Sequence, residues 1–338
     1  MHRGVEPSDG SAWGGIVGHK SMSRYAPDHG LNVRIGATAG LLASVFLAIV
    51  IALIWVGLAW WFVLACAVSA VLVQSLLADR LVVSVTGAQV VSAEEAPELH
   101  AYMDRLCALA NMPKPRIAIE HSDLPNAFAA GVTPNRSLVC FTTGLLNQLS
   151  AEEFEAVAAH ELAHIAHRDV IVMTVASTAS VISGLLMKIS AVSAAGTFVV
   201  AGAAQPRRKS KDDKEGDLLA VLFMISVAVL LVSSVTYAVN VVMLRTLSRY
   251  RELAADRGAV FLTGQPQALA NALTRITTGI NAIPAEDLRV ARSMDVLSFA
   301  PAAAPNSRWA WLLSTHPTLQ QRLDNIAKAA AQLGQPGP

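Results

Sequence analysis

Two histidines carry the strongest chemical signal in this sequence. In the stretch His160-Glu-Leu-Ala-His164 they lie four positions apart, so on a helix both imidazoles project from one face, a turn apart. Two side chains with that spacing can bind one Zn²⁺, and Glu161 can then reach a water molecule on the metal without being a ligand. The pattern predicts a hydrolytic zinc site. The alternative interpretation is a helix whose histidines lie on a solvated face.

A second charged segment offers the third protein ligand that a catalytic zinc needs. Residues 248–256 are Ser-Arg-Tyr-Arg-Glu-Leu-Ala-Ala-Asp, and Glu252 and Asp256 share one face if this segment is helical. Glu252 could then bind the metal while Asp256 accepts a hydrogen bond from a ligand imidazole. From the residues alone, a solvated helix surface held by salt bridges explains the same pattern.

Four motifs, taken together and in order, resemble the HtpX-type membrane zinc peptidases. They are NAFAAG (126–131), HELAH (160–164), SRYRELAAD (248–256) and HPTLQQRL (316–323). These peptidases are Glu-zincins related to the type I CAAX prenyl protease. The resemblance extends from about residue 35 to the C-terminus, with hydrophobic segments before and between the motifs, and it leaves out the first 34 residues.

The resemblance implies a role for each residue that matches the zinc motifs. His160, His164 and Glu252 would bind one Zn²⁺ per chain. Glu161 would be the general base, and Asp256 would support a ligand imidazole.

The two outer motifs imply residues that act on the substrate. His316 and Arg322 match positions that steady the negatively charged intermediate and the site around it. Asn126 and Ala127 would lie on an edge strand that pairs with an extended substrate, since such pairing grips any peptide backbone. His167, a further imidazole close to the zinc motif, is predicted to lie near the ligands or at the surface.

Residues 79–169 are predicted to form a compact α+β unit that positions the histidines. Ser150 and Glu153 have the spacing of a capping box, which predicts that the helix with both histidines begins there. Helical spacing of apolar residues predicts another helix over 94–112, ended by prolines. Strands or extended pieces are predicted over 116–120, 126–131 and 137–143.

The composition indicates a membrane protein. The chain is 53% hydrophobic and only 15% charged, whereas soluble domains average about 25% charged residues. Residues 35–78 carry no charge and, as one helix, would be about twice as long as the hydrocarbon core is thick, so we predict a two-span hairpin. This run is too long for a signal peptide. Two further spans are predicted within 170–206 and over 218–244, with a polar loop at 205–217.

These elements predict a mainly α membrane protein. It would have four transmembrane helices and a cytoplasmic, zincin-like α+β catalytic domain, divided between residues 79–169 and 245–338. An even number of spans must separate the histidines from Glu252, because all three ligands reach one ion. Residues 1–34 are predicted to be a mobile tail.

The distribution of charge predicts the orientation and limits the partners. Basic residues in the tail favour a cytoplasmic N-terminus, and thus a catalytic domain on the cytoplasmic side of the inner membrane. The basic loop at 205–217, which this topology places outside, argues the other way. A net charge of +1 provides no basic field for nucleic acid. Three scattered cysteines are too few for a disulfide framework.

The function predicted from the sequence is that of an integral membrane zinc endopeptidase. The resemblance implies misfolded or membrane proteins as substrates and a place in proteolytic quality control under stress. Two alternatives remain at this point: a membrane scaffold or chaperone that keeps zinc without cleaving, and a CAAX-type protease of prenylated proteins. The intact Glu161 argues against the scaffold, because a structural zinc site has no use for a base.

Overall fold

The computed structural model describes residues 87–131, 133–203, 214–281 and 314–338, together with isolated helical positions between 33 and 73. Apart from those positions, the predicted tail (1–34) and two-span hairpin (35–78) lie outside the described residues. Most of the predicted loop at 205–217 lies outside them as well.

A four-stranded mixed sheet lies on one side of the histidine helix. Its strands are β1 (Gln89–Val90), β2 (Arg116–Glu120), β3 (Ala127–Ala130) and β4 (Leu138–Thr142), in the spatial order β1-β2-β4-β3. β2 and β4 are parallel, while β1 and β3 are antiparallel to their neighbours. The strands predicted over 116–120, 126–131 and 137–143 are thereby confirmed. Within the described part of the chain, β3 is an edge strand.

One glycine is required where β3 ends. Gly131 has a φ of 114°, which side-chain-bearing residues rarely adopt. A Cβ atom there would lie 2.6 Å from the Cα atom of Ser137, which immediately precedes β4. The close approach of backbone to backbone holds the β3–β4 connection tight.

Two short helices flank the sheet. α1 (Pro97–Ala110) lies within the predicted range 94–112 and has proline at its N-terminus. It ends at Asn111, which adopts the left-handed conformation and donates its N–H to the Ala108 carbonyl. The helix therefore ends before the prolines that were expected to stop it. α2 (Thr143–Gln148) begins directly after β4, with Thr142 as its N-cap.

The histidine helix, α3 (Ala151–Ala166), begins at the predicted capping box. Ser150 Oγ accepts from the Glu153 N–H at 3.3 Å, and the Glu153 carboxylate accepts from the Ser150 N–H at 2.9 Å. Nearly every side chain along α3 is buried, because β3 and the later helices pack around it. His160 is only 1% exposed. The alternative of a solvated histidine face is therefore wrong.

Two long helices follow and pack against each other as an antiparallel hairpin. They are α4 (Asp169–Ala203) and α5 (Lys214–Thr263). Segments Ser180–Val200 and Leu218–Thr263 are long and apolar enough to cross a membrane. α4 continues through Lys188, so the region 170–203 is one helix rather than two short ones. The protein is mostly helical with a small sheet, in keeping with a mainly α membrane protein.

α5 joins two features that the sequence analysis treated separately. The predicted span at 218–244 and the charged segment at 248–256 belong to one unbroken helix. Gly264, at a φ of 69°, ends it, and its N–H donates to the Val260 carbonyl at 2.8 Å. Glu252 and Asp256 are thus carried on the continuation of an apolar helix.

Two amphipathic helices complete the core around α3. α6 (Pro266–Asn281) packs against α3 through Leu269, Leu273 and Ile276, all fully buried. α7 (Leu319–Gln332) packs against α5 and α6, and a capping box at Thr318 fixes its start. That start determines where the residues preceding α7 approach α5.

Candidate metal centre

Three predicted ligands, far apart in the sequence, come together in the structure. α3 supplies His160 and His164, whose Nε2 atoms are 3.1 Å apart. α5 supplies Glu252: its Oε2 is 3.6 Å from Nε2 of His160 and its Oε1 is 3.4 Å from Nε2 of His164. One donor atom from each side chain lies within 4.8 Å of the other two. A single cation could contact all three.

The donor set fits a catalytic zinc ion. Two imidazoles and one carboxylate form a usual protein ligand set of such sites. Oε2 of Glu252 is buried and makes no hydrogen bond to any described residue. A buried carboxylate oxygen that accepts no hydrogen bond is costly, and a cation bound between the three side chains would compensate this cost.

His160 is fixed from behind by a buried aspartate. Its Nδ1 is 3.0 Å from Oδ1 of Asp256, which is fully buried one turn beyond Glu252 on α5. Arg322 of α7 donates to both oxygens of Asp256, at 2.9 and 2.6 Å. Asp256 therefore holds the imidazole with Nε2 facing the other ligands, and Arg322 holds Asp256.

His164 is held by a second carboxylate that the sequence analysis missed. Its Nδ1 is 2.6 Å from Oδ2 of Asp169, and Nε of Arg251 is 3.0 Å from the other oxygen of Asp169. Arg168, which has a φ of 55°, separates α3 from α4, and α4 begins at the next residue, Asp169, within reach of His164. The available sequence signal for this support was an acid five residues after the second histidine. In a continuous helix, however, that acid would not lie on the same face as His164.

His316 and Arg322 both reach the same carboxylate ligand. Nδ1 of His316 lies 3.4 Å from Oε2 of Glu252, and Nη1 of Arg322 lies 3.6 Å from that oxygen. Both side chains are almost completely buried. The structure thus brings the C-terminal motif to the ligands of α3 and α5.

Glu161 lies beside the ligands and is 3% exposed. Burial raises the pKa of its carboxyl group, and the neighbouring imidazoles of His160 and His164 oppose that rise only in part. A carboxylate with a raised pKa is a better proton acceptor than one in water, as general-base chemistry requires.

The carboxylates around His164 determine how metal binding would depend on pH. Burial lowers the pKa of His164, but the carboxylates of Asp169 and Glu252 outweigh it and raise that pKa to about 10. Burial opposes ionisation of Asp169, yet Arg251 and His164 hold its pKa at about 2. A metal ion must therefore displace a proton from His164, so metal binding should weaken as the pH falls.

The predicted substrate-binding residues lie at the sheet edge next to α3. The N–H of Asn126 donates to Thr142 Oγ1 at 2.8 Å, and its carbonyl accepts from the Thr142 N–H at 3.0 Å. Because bonded and non-bonded positions alternate in an antiparallel pair, the backbone groups of Ala127 and Ala129 face the open side of β3. His167 lies exposed at the C-terminus of α3, and so at the surface.

Comparisons with known proteins show which family this chain is related to. A profile described as peptidase family M48 matches residues 93–330. "Protease HtpX homolog 1" of Streptomyces coelicolor is 41% identical over 318 residues, covering 94% of this chain and 99% of that protein. "Protease HtpX homolog 2" of Methanosarcina acetivorans is 37% identical over 310 residues, covering 92% of this chain and 99% of that protein.

A solved structure has a similar fold. Ste24p of S. mikatae matches with a TM-score of 0.52 and 19% identity, covering 85% of this chain. This chain spans 62% of the length of that Ste24p chain. The similarity to the Streptomyces protein covers more than residues 35–338, so it reaches into the first 34 residues, which the motif resemblance had left out.

Proposed function

Because the chain belongs to peptidase family M48, we propose that it is a membrane zinc endopeptidase whose metal is held by His160, His164 and Glu252. One observation carries the proposal: donor atoms from α3 and from the far side of the α4–α5 hairpin lie within 4.8 Å of one another. Two aspartate–arginine pairs support the two imidazoles, as outer partners do in metal sites.

Zinc bound there would polarise the scissile carbonyl. It would also lower the pKa of a water molecule, so that the water can lose a proton and attack the carbonyl at neutral pH. Glu161 accepts the proton of that water and delivers it to the nitrogen of the departing amine. Its burial excludes competing solvent, and it is the one acid of the HELAH motif. No bond forms between the enzyme and the acyl group.

We propose that His316 and Arg322 donate hydrogen bonds to the carbonyl oxygen on which negative charge develops. Both contact Oε2 of Glu252, so both lie beside the ligand cluster rather than on a separate surface. Fixed donors in a buried site stabilise a developing oxyanion more than water does. Arg322 also holds Asp256, so its loss would affect His160 as well.

The substrate would bind as an extended strand along β3. Ala127 and Ala129 offer outward backbone groups there, and Asn126 marks the start of that edge. Pairing through the main chain selects unfolded or extended segments over folded domains. Misfolded and membrane proteins are therefore the substrate class that we propose.

The topology that we propose has four spans, with the catalytic part on the cytoplasmic side of the inner membrane. α4 and α5 are the last two spans, and their hairpin returns Glu252 to the side of the histidines. The first two are the uncharged run at 35–78. The basic residues before that run favour the cytoplasmic N-terminus.

The test is cleavage of casein by the full-length protein, purified in detergent. The wild type should cleave, and a zinc chelator should stop it. Glu161→Gln should lower the cleavage rate at least about 100-fold and still contain one zinc per chain, because it removes the base and not a ligand. Glu152→Gln, an exposed acid on the same helix, is the matched control and should cleave like the wild type.

The outcomes separate the remaining functions. Equal cleavage by wild type and Glu161→Gln, or cleavage that survives complete zinc removal, would refute the proposed mechanism. Zinc without cleavage in every variant would favour the scaffold. Cleavage of a prenylated peptide but not of casein would favour a CAAX-type protease.

A further inference from the structure

Three successive turns of α5 each contact the C-terminal segment. Residues 249, 252 and 256 share one face of the helix, since they are three and four positions apart. The pairs are Arg249 with Ser314, Glu252 with His316, and Asp256 with Arg322. The last two pairs belong to the metal centre. The first pair lies about one turn nearer the apolar part of α5, and the proposed mechanism gives Arg249 no role.

Arg249 is held in a fixed orientation by its own helix. Its Nη2 donates to Oγ1 of Thr246 at 2.9 Å, and that hydroxyl donates in turn to the Val242 carbonyl at 2.9 Å. Its Nη1 donates to the Ser314 carbonyl at 3.1 Å. The residue is only 7% exposed, which is unusual for an arginine. The planar guanidinium therefore links α5 to the segment in one geometry.

The segment between Ser314 and His316 is closed by its own hydrogen bond. Oγ of Ser314 donates to the His316 carbonyl at 2.8 Å. The backbone on both sides of Thr315 is thus tied together, and Arg249 holds one end of it. At the other end, Nδ1 of His316 lies 3.4 Å from Glu252. The place of the imidazole is determined from both ends.

We propose that Arg249 is a positioning residue, which sets His316 against Glu252 by holding the Ser314 carbonyl. The inference rests on the proposed function, because it concerns a step that His316 assists. Arg249 itself contacts neither the three ligands nor Glu161 through any of the hydrogen bonds described above. Its loss should displace His316 and leave the zinc in place.

A double-mutant cycle on casein cleavage tests the inference. Arg249→Ala should lower kcat about 10- to 100-fold, because a displacement of about 1 Å near the reacting atoms has that effect. In a His316→Ala background the same change should lower kcat less than about twofold. Zinc content and KM should stay close to wild type. Arg245→Ala, one turn earlier on α5, is the matched control and should be near-neutral.

Two results of these measurements would contradict the inference. If Arg249→Ala lowers kcat by the same factor with and without His316, Arg249 does not act through His316 and the inference is wrong. Loss of zinc from folded Arg249→Ala would also refute it. If Arg249→Ala does not fold, Thr246→Val serves as the test, because it keeps the arginine but removes the hydroxyl that accepts its hydrogen bond. Thr246→Val should lower kcat about threefold or more. Thr246→Ser keeps the hydroxyl and should leave kcat unchanged.

Hydrogen exchange of the segment separates this inference from the proposed function. In the zinc-loaded protein, exchange at residues 315–319 should rise at least about fivefold in Arg249→Ala and stay unchanged in Arg245→Ala. If wild type does not cleave but this difference is found, the proposed function fails and the anchoring by Arg249 stands. Equal exchange in Arg249→Ala and wild type would refute the anchoring whatever the activity.

Discussion

The two histidine ligands have the same kind of support from different parts of the chain. Each Nδ1 faces an aspartate, and each aspartate pairs with an arginine. For His160 both supporting residues follow Glu252 in the sequence; for His164 the aspartate begins the next helix. Such carboxylates keep the imidazole in the tautomer that binds metal and raise its basicity. The proposed metal centre thus includes four supporting charged residues besides the three proposed ligands.

Asp169 offers a test of that support. Asp169→Ala should weaken zinc binding about 10- to 100-fold, because His164 loses the acceptor that orients it. Asp169→Asn, which keeps an acceptor without the charge, should lie between that variant and wild type. Affinity is measured by competition with a chromogenic zinc chelator.

The control for this prediction is an acid away from the metal centre. Asp104 is exposed on α1 and pairs with Lys114. Asp104→Ala should bind zinc as tightly as wild type. Unchanged zinc affinity in Asp169→Ala would show that the contact with His164 does not support the metal.

The sequence predicted the roles of single residues where spacing within one helix was sufficient. His160 and His164 project from one face whatever the rest of the chain does, and Glu252 and Asp256 do the same. Asp169 could not be found in this way. Its contact depends on the break in the helix at Arg168, which has a φ of 55°, and no helical periodicity encodes that break.

Among the elements, β3 is the one to which the proposed function assigns the binding of substrate. It is short, it packs against α3, and within the described residues it pairs with β4 alone. Edge strands usually avoid pairing with other chains through charges, bulges or covering segments. β3 consists of Ala127, Phe128, Ala129 and Ala130, without a charge. It is suited to accept a further strand.

Ala129→Pro tests this use of β3. Proline removes the outward N–H and is tolerated on an edge strand, so the fold should persist. The loss of one hydrogen bond to the substrate is worth about 1 kcal/mol and should raise KM about fivefold, with a smaller change in kcat. The measurement is steady-state cleavage of an unfolded protein, with the melting temperature as the check on folding.

Ala129→Ser is the matched variant, since it keeps the N–H and is nearly the same size. It should cleave with the KM of wild type. An unchanged KM in folded Ala129→Pro would mean that the substrate does not pair with β3 at this position.

At this scale the sequence predicted helices and strands better than their connections. The capping box at Ser150 and the short runs with β-branched residues in β2 and β4 are local signals, and the helix and both strands were found. The continuity of α5 was not predicted. The change from apolar to charged residues after Leu244 indicated a boundary, yet no glycine or proline lies between Leu244 and Asp256, and the helix continues through Gly258 to Thr263.

For the whole molecule, the open question of orientation can be answered by labelling thiols. Burial raises the pKa of Cys107 to about 11 and that of Cys140 to about 12, so neither should react with a maleimide at neutral pH. With Cys66 replaced by serine, a new cysteine becomes the single reactive thiol.

In Lys209→Cys, the new thiol lies in the predicted loop at 205–217 and should be labelled in intact cells by a membrane-impermeant maleimide. In Glu98→Cys, which changes an exposed position of α1, the new thiol should be labelled only after the membrane is opened. The reverse pattern would place the metal centre outside the cytoplasm, as the basic residues of the loop would favour.

The unbroken course of α5 also limits where a bond can be cut. At about 1.5 Å per residue, the carboxylate of Glu252 stands roughly 12 Å along the helix from Leu244, where the uncharged stretch stops. In the proposed topology, α5 is anchored in the bilayer and holds the proposed metal centre at a fixed, short distance from the membrane surface. The proposed protease would then cleave peptides that lie flat on the bilayer, and it would not reach a domain held away from the membrane on a long stalk.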